Sequence, residues 1–142
     1  MNNTLLLALA VVALVGLVWW YRRSRSNDRF AVHMARHAAT ATLTSRAQLI
    51  DGANHIAVAL TLEPKQITYA NDDFDATIDI EKIDEVEYSS DLVNGGNADG
   101  SVLRLRSHGR AIEFVLDAAS AERWSLKLPA HRLNEGGYVH AV

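Results

Sequence analysis

The pattern of apolar and polar positions divides the chain sharply. Leu5 to Trp20 reads LLLALAVVALVGLVWW, with no charged or amide side chain. With Thr4 and Tyr21 this run would rise about 27 Å as a helix, close to the hydrocarbon thickness of a bilayer. A helix satisfies its own backbone in lipid. Trp19, Trp20 and Tyr21 gather at one end, where amphipathic rings favour the headgroup layer, and Arg22, Arg23 and Arg25 follow at once. A cleaved signal peptide would want charge before the run and a small-residue site after it. The pattern therefore predicts a single-pass anchor in the plasma (inner) membrane, those six residues at the membrane interface, and a cytoplasmic C-terminal domain.

Beyond the anchor, Ser26 or Asn27 can cap a short helix over about 27–39, with Phe30, Met34 and His37 on one side. The period then changes to two. Ile56, Val58, Leu60 and Leu62 alternate, Glu63–Pro64–Lys65–Gln66 supplies a turn, and Ile67 and Tyr69 return. Asn71–Asp72–Asp73 makes the next turn before Phe74, Ala76, Ile78 and Ile80. Ile83, Val86 and Tyr88 mark a further strand or bend, and Ser89 to Gly100 reads as a long loop. Val102, Leu103 and Leu105 pair across Ser107–His108–Gly109–Arg110 with Ile112, Phe114 and Leu116. Asp117 is placed as an N-cap for a helix bearing Ala121, Trp124, Ser125 and Leu128 on one face, and Pro129 ends it. The expected organisation is an anchor with basic flank (1–25), a juxtamembrane helix and linker (26–50), a β domain (51–132) and a flexible tail (133–142).

Charge and composition add limits. The 142-residue chain has no Cys, so disulfides, thiolate zinc sites and cysteine nucleophiles are excluded. A net charge of −3 does not argue for nucleic acid. The charge is segregated, however. Arg22 to Arg46 is basic, Glu63 to Asp99 acidic, and Ser101 to Arg132 basic again, which could orient the molecule at an anionic surface.

From about Ile56 to Leu128 the chain resembles the pleckstrin-homology superfold, particularly its GRAM and bacterial PH-like members. Leu60 to Tyr69 (LTLEPKQITY) is similar to the opening hairpin of such domains. Ile78 to Val86 (IDIEKIDEV) resembles the stretch that follows, with Asp79 where the family carries Pro, and Trp124 falls where its closing helix often carries Trp. The resemblance implies a mainly β fold, a bent antiparallel sheet or barrel capped by one C-terminal α-helix, behind the N-terminal transmembrane helix. It also implies binding of headgroups, peptides or partner domains.

Candidate chemistry is sparse. His33 and His37 stand four apart on the expected helix, the spacing that lets two imidazoles reach one metal, but no third ligand accompanies them and they read as a pair of surface histidines. Asp72, Asp73 and Asp75 lack the ligand spacing of a calcium loop. Ser90, Ser107 and Ser120 have no nucleophile-elbow context. Asn94–Gly95–Gly96–Asn97 lacks a phosphate-loop pattern. Arg104 and Arg106 are two apart on one strand and project from one face, with Arg110 across the turn, so the three could clamp a phosphate or carboxylate. The expected function is that of a non-catalytic, membrane-tethered interaction module with a protein partner, no cofactor and no metal. The alternative is an anionic-lipid-binding or sensing domain that uses basic residues of the linker and of the 101–116 hairpin.

Overall fold

The computed structural model describes residues 3–133 and 139–141, with side chains described over 11–21 and 30–132. The chain divides into two units, Met1–Val32 and His33–Val142.

The first unit is helix. Asn3–His37 forms one continuous α-helix, α1, whose last residues belong to the second unit. The short helix expected over 27–39 is its C-terminal part, so Ser26 and Asn27 lie within the helix and not at its start.

The expected transmembrane span is corrected by the structure: among the described residues no helix is long and apolar enough to cross a membrane. The apolar stretch with described side chains runs from Val11 to Tyr21. At 1.5 Å per residue it rises about 16 Å, roughly half the hydrocarbon thickness. The rest of the proposed span, Leu5–Ala10, lies outside the described side chains. With the span go the single-pass topology, the inner-membrane placement and the cytoplasmic orientation; the expected bilayer contact through residues 5–20 is not tested by this. The transmembrane component of the expected fold class falls with them.

The second unit is a mainly antiparallel sheet with one C-terminal α-helix. Its strands are β1 (Leu43–Asp51), β2 (Asn54–Leu62), β3 (Gln66–Ala70), β4 (Asp75–Asp79), β5 (Glu85–Asp91), β6 (Asn97–Ser107), β7 (Arg110–Leu116), β8 (His131–Leu133) and β9 (Val139–Ala141). They run in the spatial order β4-β3-β2-β1-β7-β6-β5-β8-β9. The helix α2 (Ala118–Lys127) enters between β7 and β8.

Three stretches depart from expectation. Leu43–Asp51, expected as linker, is the strand on which the two halves of the sheet meet, paired with β2 along its length and with β7 through Gln48–Ile50. The expected loop Ser89–Gly100 is a hairpin: Leu92 N–H donates to the Gly96 carbonyl at 2.9 Å, and β6 begins at Asn97. The expected flexible tail also carries β9, paired with β8, while residues 134–138 and 142 lie outside the described ones.

Local chemistry explains the turns. At the β6–β7 hairpin both central residues take positive φ, His108 at 49° and Gly109 at 75°, the backbone of a two-residue turn matched to strand twist. Asn71 Oδ1 accepts from the N–H groups of Asp73 and Phe74 and fixes the β3–β4 turn. Asp117 caps α2 by accepting from Ser120 N–H at 2.8 Å.

The main core joins Leu60 and Ile67 of one half to Leu103, Leu105 and Phe114 of the other, with Trp124 of α2 fully buried among them. A smaller cluster of Leu92, Val102 and Val115 lies on the opposite face of β6 and β7, since residues two apart share a face.

Candidate functional site

The three arginines expected to form a clamp are placed differently from one another. Arg104 sits on β6 directly between Glu87 of β5 and Glu113 of β7, a consequence of the strand registers. It is 7 % exposed. Its Nε donates to Glu113 Oε1 at 2.9 Å, its Nη1 to Glu87 Oε2 at 2.7 Å, and its Nη2 to the Asp91 carbonyl at 3.0 Å. Burial works against its charge, but the hydrogen bonds it donates to Glu87 and Glu113, with their negative charge, outweigh it and raise its pKa. Glu113 Oε1 also accepts from Val93 N–H at 3.0 Å, so the cluster ties down the β5–β6 turn. Arg106 Nε pairs with Glu85 at 3.1 Å, and Arg110 is exposed at the hairpin end. The geometry therefore makes Arg104 a structural cross-brace, and the three guanidiniums do not converge on one ligand.

Trp19, Trp20 and Tyr21 are exposed on α1 at 62 %, 65 % and 58 %. The side chains of Arg22, Arg23 and Arg25 lie outside the described residues. His37 Nδ1 lies 3.3 Å from Glu63 Oε1. That carboxylate also accepts from Thr40 Oγ1 at 2.7 Å and from the Gln66 amide. Among the described residues no group of three metal-ligating side chains forms.

A concave feature of the sheet unit lies elsewhere. A groove of about 370 Å³ runs between α2 and β5, lined by Tyr88, Ser89, Ser90, Ala118, Glu122 and Ser125 among others. The sequence offered no motif for it, because its lining is small and polar and comes from separate elements. The signal that could have found it is the alternation of Val86, Tyr88 and Ser90, which places Tyr88 beside the end of α2. Tyr88 Oη donates to the Leu128 carbonyl at 2.8 Å, and burial raises its pKa far above the ordinary phenol value. It therefore stays protonated and fixes the exit of α2 against β5.

The groove borders an incomplete strand edge. On its outer side β5 pairs with β8 only through Glu85↔Arg132 and Val86↔His131. From Glu87 to Ser90 the outer edge pairs with no described strand. Serine hydroxyls and one carboxylate, that of Glu122, line the groove.

No protein-family model and no curated protein matches the chain. Among solved structures, the chain is similar to the C-terminal domain of an unknown protein from Leishmania infantum. The two share 10 % identity at a TM-score of 0.52, over 69 % of this chain and 93 % of that one. Identity at this level speaks to the fold alone.

Proposed function

We propose that the sheet unit is a non-catalytic, PH-like interaction module that binds a protein partner. The observation that carries the reading is the groove between α2 and β5, lined by small polar side chains beside a stretch of β5 that pairs on its outer side with no described strand. Such an edge is a template for pairing with another chain. The strand order, a four-stranded run and a three-stranded run meeting at β1 and followed by a helix, supports the PH-like part of the reading, although a shared fold does not choose a ligand. Arg104, spent on Glu87 and Glu113, gives the lipid-headgroup alternative no support.

The test is a screen of the full chain against an array of extended synthetic peptides, repeated with Ser125→Arg, which fills the groove from α2. Peptides captured by the native chain and lost by the variant support the reading. Absence of any captured peptide, or capture indifferent to Ser125→Arg, refutes it.

A further inference from the structure

The last two turns of α1 carry polar atoms that the fold leaves without partners. His33 and His37 are half-buried. His33 Nδ1 and His37 Nε2 are both closed to solvent, and neither has a hydrogen-bond partner among the described residues. Buried polar atoms are nearly always satisfied, so an orphan marks a place for a water or an ion. Residues four apart on a helix stand one above the other, which sets the two imidazoles on one side of α1.

The tautomer of His37 is fixed by its neighbour. Its Nδ1 lies 3.3 Å from Glu63 Oε1. The Thr40 hydroxyl and the Gln66 amide also donate to that carboxylate, so Glu63 acts as an acceptor toward all three. Nδ1 therefore carries the hydrogen, and the neutral ring leaves Nε2 with a lone pair to give. An imidazole whose far nitrogen donates to a carboxylate is oriented, and made more basic, for metal binding.

The sheet beneath adds a third such atom. Gln66 and Thr68 are two apart on β3 and share the face opposite Ile67, which enters the core. Contacts from Gln66 to Glu63 and from Glu63 to His37 bring the end of α1 to that face. Thr68 is 3 % exposed there although it points away from the core, and its Oγ1 is likewise buried without a partner. No third His, Cys, Asp or Glu side chain converges with the histidines among the described residues. The protein thus supplies two nitrogens and leaves the remaining coordination to water, an open arrangement. Neutral imidazole suits zinc, copper and nickel, whereas magnesium and calcium want oxygen.

We propose that His33 Nδ1 and His37 Nε2 bind a divalent transition-metal ion of the zinc class, with Glu63 as the positioning carboxylate behind His37. The ion ties two successive turns of α1 together. Through the contact of His37 with Glu63 it also ties the end of the helix to the β2–β3 turn. The site is separate from the groove beside α2, and it stands or falls independently of the peptide-binding reading.

The probe is zinc chloride, titrated into the full, untagged chain and followed by equilibrium dialysis and by NMR of the histidine ring nitrogens. The expected result is one zinc ion per chain. The His33 Nδ1 and His37 Nε2 resonances should move together, while the rings of His55, His108 and His131 stay unmoved. His33→Gln should weaken zinc binding at least about tenfold, and it leaves the contacts of Glu63 intact. An unchanged urea midpoint without metal verifies that this variant is folded. Glu63→Gln should weaken binding by about tenfold to a hundredfold while both histidine signals still respond. Copper(II) should bind more tightly than zinc, and magnesium should leave the ring signals unmoved.

A cooperatively folded chain that takes up no zinc overturns the inference and leaves water as the partner of the orphan nitrogens. Zinc held equally well by His33→Gln overturns it by placing the metal elsewhere, as does a response of His37 with His33 unmoved. Native affinity in Glu63→Gln would remove the positioning role of that carboxylate.

Discussion

The indole Nε1–H of Trp124 donates to the hydroxyl of Ser45 at 3.1 Å, joining residues 79 apart in the chain, both buried. The bond fastens α2 to β1, the strand on which the two halves of the sheet meet. A buried indole without an acceptor carries the full cost of its lost hydration, about 1–3 kcal/mol. Ser45→Ala is therefore expected to lower unfolding stability by that amount with an unchanged denaturant slope. Trp124→Phe removes the donor together with the need for it. Combining the two should cost less than the sum of the single changes, and urea unfolding of the four chains checks this.

Arg104 offers a second test because its two carboxylate partners differ in environment. The Glu113 side chain is 9 % exposed and the Glu87 side chain 41 %. Removing Arg104 leaves Glu113 buried without its counter-charge, so Arg104→Ala is expected to cost about 3–5 kcal/mol. Glu87→Gln, at the wetter end, should cost less than about 1 kcal/mol. Arg104→Lys should recover only part of the loss, since an ammonium cannot fork to both carboxylates and the Asp91 carbonyl. Thermal and urea unfolding order the three variants. A near-neutral Arg104→Ala would remove the cross-brace role.

The sequence made local features legible and hid those that depend on register. The alternation from Ile56 to Leu62, the turn at Glu63–Gln66 and the Asp117 cap all act within a few residues, and each stands where expected. β1 was obscured because its inward positions include Ser45, which makes sense as a core residue only beside Trp124. Asp51–Gly52, with Gly52 at φ 62°, was the available hairpin signal for it. Spacing alone put Arg104 and Arg106 on one face, but it could not place Glu87 and Glu113 directly across from Arg104. β8 is too short to show any period, so the partly covered edge of β5 could not be read at all.

Gly100 sits within β6 at φ 150°, and a Cβ there would run into the Leu116 carbonyl oxygen. Glycine lets the start of β6 approach the end of β7 closely. Gly100→Ala must either twist that backbone or push β7 away, at an expected cost of about 1–3 kcal/mol. Gly95 also has positive φ, at 81°, but a Cβ there meets nothing. Gly95→Ala should therefore cost less than Gly100→Ala, and comparison of their unfolding midpoints separates close contact from conformational preference.

Glu63 gives the protein an acid-sensitive joint where the last turn of α1 meets the β2–β3 turn. Its pKa lies below the ordinary 4.5, chiefly because Thr40 donates to it, then Gln66; burial opposes this and His37 adds to it. A depressed folded-state value means that the unfolded chain takes up the proton first. The carboxylate's contribution is thus complete above pH 4.5 and is lost as pH falls through the lower folded value. Urea midpoints measured from about pH 7 to about pH 3 should fall on the acid side for the native chain. Glu63→Gln should flatten that limb, so that the two chains differ near neutrality and converge in acid. Thr40→Val, which removes the largest cause, should flatten it more than a change at His37. An acid limb unaltered by Glu63→Gln would show that other carboxylates govern the loss.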